Sequence, residues 1–166
     1  MRSTLKIVQY MNPDIDIKKS YQDCMDQVKS NKPIDVQYEL IRNHSYKTDH
    51  LLHDCRYESD LFRLHYAVDN PNMVWLDSDI KIREWFTPKD NKAYFFNVMG
   101  FPLECAFYVN GQTELFKQLL DLYYSSDRFK HIGWIRSALT SMDNQNWKLI
   151  PVDCFEHLYF RGLKDI

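Results

Sequence analysis

The sequence predicts an α/β fold, a central sheet covered by helices on both faces. Apolar runs rich in strand formers alternate with stretches of helical spacing, in the order βαβαβ over the first half. Three further strand-like runs and two further helical stretches follow. No internal repeat, low-complexity tract or Gly/Pro/Ser-rich linker divides the 166 residues, so residues 1–166 are expected to form one small compact domain.

The first strand is expected in "LKIVQYM", and the turn-like "NPD" closes it. In "IKKSYQDCMDQVKS", Tyr21, Met25 and Val28 recur at helical spacing, and "IDVQYELI" alternates well enough for a second strand. The polar, irregular "NHSYKTDHLLHDC" precedes "ESDLFRLHYAV", where Leu61, Leu64 and Val68 fall on one helical stripe. "NPN" stops that helix before the apolar strand "MVWL". Beyond it, "KAYFFNVM" and "CAFYVN" are expected as strands, and "TELFKQLLDLYYSS" as a helix opened by a Thr cap. "HIGWIRSALTSM" suggests another helix, and "WKLIPV" a last short strand.

Composition narrows the function classes. Hydrophobic residues at 45% and charged residues at 27% describe a chain able to bury a core, which excludes a disordered one. A net charge of -2 supplies no broad basic field for a phosphate backbone. Cys24, Cys55, Cys105 and Cys154 form no C-x-x-C pair, so they read as buried, reduced thiols. His44, His50, His53 and His65 have no spacing that spells a zinc site. The opening "MRSTLKIVQYMNPDIDIKK" turns polar too soon for a signal sequence, and no run approaches the length of a transmembrane segment, so a cytoplasmic location is expected.

The chemistry concentrates at "MVWLDSDIKI". Ligands of open α/β sheets gather beyond the carboxyl ends of the strands, where Asp77 and Asp79 stand. Residues two apart on an extended chain point to one side, so both carboxylates are expected to face one hard cation, Mn²⁺ or Mg²⁺, able to hold a diphosphate. Taken alone, D-x-D also fits a solvated turn. Upstream, Asp60 and Arg63 lie three apart on a helix, with Leu61 and Leu64 turned to the core. In isolation that pair reads as a surface ion pair worth about 0.2–0.5 kcal/mol.

The stretch "SDLFRLHYAVDNPNMVWLDSDIKI" resembles the sugar-binding region of the D-x-D glycosyltransferases of the family 32 type, related to the family 8 enzymes and the large clostridial toxins. Their pattern, S-D-L-x-R-x-x-x-L followed by a hydrophobic strand into D-x-D, is met by Ser59, Asp60, Leu61, Arg63, Leu76, Asp77 and Asp79. "DNPNMVW" stands where the family usually has Gly-Gly before an aromatic strand, and Trp134 replaces the proline of its G-P-x-x-L-T segment.

The resemblance implies a GT-A-like (Rossmann-like) mixed sheet and a metal-dependent hexosyltransferase-like enzyme. Its donor would be a nucleotide-diphosphate sugar, a UDP-sugar favoured, and transfer would retain configuration. By the same resemblance Asp79 binds the Mn²⁺ or Mg²⁺ directly, and Asp77 reaches the ribose and the metal. Asp60 and Arg63 hold donor-sugar hydroxyls, Ser59 belongs to the same donor-binding stretch, and Tyr10, at the end of the first strand, is expected beside the base. His157, followed by Gly162 and Lys164, is similar at altered spacing to the family 8 H-x-x-G-x-x-K segment, which supplies a metal-binding His and a phosphate-facing Lys. No motif identifies the acceptor, whether glycan, protein, lipid or modified base, and oligomer formation is left open. Two alternatives use the same letters. One is a non-catalytic, degenerate transferase domain binding a nucleotide sugar or a partner. The other is a haloacid dehalogenase-type phosphatase, whose h-h-h-D-x-D motif normally opens the chain.

Overall fold

The structure, a computed structural model, describes residues 4–48, 55–125, 134–142 and 144–158. Its element order is β1 (Lys6–Tyr10), α1 (Lys19–Asn31), β2 (Gln37–Ile41), α2 (Cys55–Asp69), β3 (Met73–Leu76), β4 (Ile80–Ile82), β5 (Ala93–Val98), β6 (Phe101–Tyr108), α3 (Thr113–Ser125), α4 (Trp134–Ser141), β7 (Trp147–Leu149) and β8 (Phe155–His157). Six strands form one mixed sheet in the order β2-β1-β3-β6-β5-β7, and β4 pairs with β8 in a separate antiparallel ribbon. β1 runs parallel to both β2 and β3, whereas β6 is antiparallel to β3. The expected sheet-and-helix architecture is therefore present.

Alternation along the strands divides the core in two. Val8, Trp75, Phe95 and Phe107 pack on one face against Leu61 and Phe62 of α2, Phe116 and Leu119 of α3, and Trp134 and Ile135 of α4. Ile7, Val74, Tyr94 and Tyr108 pack on the other with Val28 of α1, Ile80 and Ile82 of β4, and Phe155 of β8. A sheet buried on both faces explains why its strands read as nearly continuous apolar runs. The β5–β6 hairpin closes through Met99 and Gly100, both at positive φ (53° and 87°), the mirror-image turn that suits the twist of paired strands. Among the described residues, no helix is long and apolar enough to cross a membrane. His50, His53, Gly162 and Lys164 lie outside the described residues. Cys24, Cys105 and Cys154 are buried and unpaired with one another, as expected of reduced thiols.

Candidate functional site

A cleft of about 440 Å³ opens beyond the carboxyl ends of β1 and β3, and Tyr10, Ser59, Asp60, Arg63, Asp77 and Asp79 all line it. Residues that the sequence scatters over seventy positions thus share one space.

Arg63 is its organising group. The guanidinium is only 4% exposed, and Asp60 beside it only 6%. Its Nη2 lies 3.4 Å from Asp60 Oδ1, and its Nη1 lies 3.2 Å from Asp77 Oδ1. It also donates to Ser59 through Nε (to the main-chain oxygen, 3.2 Å) and Nη2 (to Oγ, 3.0 Å), and to the main-chain oxygen of Glu104 through Nη1 (2.6 Å). The ring of Trp75 lies 4.8 Å from the guanidinium carbon. Burial alone would lower the Arg63 pKa, but the charges of Asp77 and Asp60 outweigh it and raise the value. The surface ion pair that the Asp60–Arg63 spacing suggests in isolation is corrected here. The pair is buried because α2 lays this face over the end of β3.

The D-x-D segment is a turn, not an extended chain. Ile80 N donates to Asp77 O at 3.1 Å, which closes residues 77–80 on themselves and leads directly into β4. The two carboxylates consequently have different partners. Asp77 Oδ1 accepts from Trp75 Nε1 at 2.7 Å and forms the ion pair with Arg63. Asp79 Oδ2 lies 3.2 Å from His157 Nε2, brought there by the pairing of Ile80 with His157. Leu158 N fixes the Asp79 main chain by donating to its oxygen at 2.9 Å. The extended conformation expected of this segment is thus corrected to a turn, and both aspartates line the same cleft.

Two residues that carry no recognisable motif help hold this arrangement. Gln9, fully buried within the apolar β1, donates from Nε2 to Asp77 O at 3.2 Å and accepts from the Tyr38 hydroxyl at 2.6 Å. A polar residue inside "KIVQYM" was the available signal. Glu104 lines the cleft from β6. Its carboxyl is raised by burial, against which the charge of Arg63 acts.

Tyr10 also lines the cleft, but its hydroxyl donates to Glu58 at 2.9–3.0 Å and its ring packs on Phe62. His44 Nε2 contacts the same Glu58 carboxylate. Lys18 and Tyr21, at the start of α1, also line the cleft.

Among the described residues, no three His, Cys, Asp or Glu side chains converge into a group able to hold a metal ion. Asp79 and His157 nevertheless suit a hard or borderline cation. Asp79 Oδ1 is enclosed and has no hydrogen-bond partner among the described residues. Burial, and then the charge of Asp77, push the Asp79 carboxyl up to about 7. Burial lowers the His157 pKa, which favours the neutral imidazole that ligates metals. An ionised Asp79 is thus short of a positive partner, and a cation bound there would take its remaining ligands from Asp77, water or diphosphate oxygens.

The sequence matches no family model and no curated protein sequence. The structure matches that of a glycosyltransferase involved in the glycosylation of the major capsid of PBCV-1, with a TM-score of 0.61 over 94% of this chain and 94% of that chain, at 12% sequence identity. The likeness is one of fold. It spans nearly the whole chain.

Proposed function

We propose that the protein is a metal-dependent glycosyltransferase, moving a sugar from a nucleotide-diphosphate sugar, a UDP-sugar favoured, to an acceptor with retention at the anomeric carbon. The observation that carries this reading is the convergence of Asp60, Arg63, Asp77 and Asp79 on one cleft at the carboxyl ends of β1 and β3. The shared fold of a glycosyltransferase supports it.

In this reading the nucleoside lies on the β1 side, near Tyr10. Asp79 and His157, with Asp77, would hold Mn²⁺ or Mg²⁺. When bound, the cation offsets charge that develops on the leaving diphosphate. Asp60 and Arg63 orient the donor sugar, so that one face of its anomeric carbon meets the acceptor. Because Arg63 is already fixed by Ser59, Asp77 and the Glu104 main chain, little reorganisation accompanies binding. No side chain is assigned as a nucleophile.

A second reading is a domain that binds a nucleotide sugar without turnover. A panel of nucleotide sugars, incubated with and without Mn²⁺ and scored for both binding and released nucleoside diphosphate, separates the two. Cation-dependent release supports the enzyme, and binding without release supports the second reading.

A further inference from the structure

Glu104 sits at an irregularity in the β5–β6 pairing. On β5, Phe95 faces Phe107 of β6, yet the next residue, Phe96, faces Leu103. Glu104, Cys105 and Ala106 therefore have no partner on β5, while Ala106 keeps its pairing with β3. There Ala106 pairs with Leu76, and Cys105 O accepts from Asp77 N at 2.8 Å. Bulges of this kind re-aim side chains. The residue re-aimed here into the cleft is an acid.

Its placement is costly without a ligand. Arg63 Nη1 donates to the Glu104 main-chain oxygen, while Oε2 of the carboxylate is enclosed with no hydrogen-bond partner among the described residues. Buried carboxylate oxygens are normally paired. The sheet order also sets which end of a ligand Glu104 would meet. β1 and β6 flank β3 on opposite sides, so Glu104 lies across β3 from Tyr10. With the nucleoside on the β1 side, what reaches Glu104 is the sugar.

We propose that Glu104 is a donor-sugar contact, its carboxylate accepting a hydrogen bond from a hydroxyl of the sugar being transferred. This rests on the glycosyltransferase reading. It adds a specificity-determining residue, since a carboxylate accepts but does not donate and so selects a hydroxyl at one ring position.

The test is equilibrium binding, with Mn²⁺, of uridine and guanosine diphosphate hexoses, their singly deoxygenated analogues and the bare nucleoside diphosphates. Glu104→Ala should weaken the preferred nucleotide sugar about 10- to 100-fold, the range for one charge-assisted hydrogen bond, and leave the nucleoside diphosphate unchanged. Glu104→Gln, whose amide oxygen still accepts, should lose less. It carries the same comparison if the alanine variant does not fold. One deoxygenated analogue should bind wild type and variant equally. Equal weakening of sugar nucleotide and nucleoside diphosphate, no weakening of either, or no analogue that equalises the two proteins overturns the proposal. A wild type that binds nucleoside diphosphate but none of the sugar nucleotides, or binds neither, removes the glycosyltransferase reading itself and this contact with it.

Discussion

Asp79 holds its proton to about pH 7 in the metal-free fold, whereas an unfolded aspartate releases it near the ordinary value of 3.8. Below 3.8 both states are protonated; between the two values the folded state binds the extra proton, so this contribution to stability is lost as pH rises through the folded pKa. Metal-free protein should therefore melt at progressively lower temperature from acid to neutral pH, and Asp79→Asn should flatten that slope and raise the neutral-pH Tm. A slope unchanged in the variant would assign the effect to other groups. Gln9 acts through the chain it anchors. Gln9→Leu leaves the buried end of Tyr38 without its acceptor and frees the Asp77 main-chain oxygen, so urea unfolding should show a loss of about 1–3 kcal/mol. Arg63 is the most exacting position. Arg63→Ala strands Asp60 and Asp77 beside each other, and a loss of about 3–5 kcal/mol in the same assay is expected. Activity measured on that variant alone would confuse unfolding with chemistry, so its folded fraction must be measured alongside.

The helices and the six strands of the main sheet were legible because each carries its own period or apolar run. The ribbon of β4 and β8 was not. Each strand has three residues, too few for alternation to register, and their pairing joins segments far apart in the chain. The turn at Asp77–Ile80 was hidden for a related reason: an apolar run ending in D-x-D reads as extended until the closing hydrogen bond is seen. This ribbon seats His157 against Asp79, so its packing should bear on the candidate cation site. Phe155 is 1% exposed in the core under β4. Phe155→Ala should cost about 3–5 kcal/mol and, in the fraction still folded, weaken Mn²⁺ binding measured by calorimetry. Full stability loss with unaltered Mn²⁺ affinity would separate the ribbon from the site.

At the scale of the molecule, the chain order βαβαβ foretold a crevice at the strand ends, and the crevice is there. Strand order and direction were beyond the sequence, because pairing partners are chosen by three-dimensional packing. Placing antiparallel β6 beside β3 brings Glu104 next to Arg63, which no spacing rule anticipates. Asp60, Arg63, Asp77 and Asp79 share a local sequence pattern, and the fold gathers them. The most direct measurement is nucleoside diphosphate release from uridine and guanosine diphosphate sugars, with Mn²⁺ and with chelator, by wild type and by a variant carrying both Asp77→Asn and Asp79→Asn. Release by wild type only with the cation is expected, with a loss of about 100-fold or more in the double variant, since a bound cation contributes several kcal/mol of charge stabilisation. Equal release by both proteins, or release that chelation leaves unchanged, would contradict the metal-dependent glycosyltransferase reading.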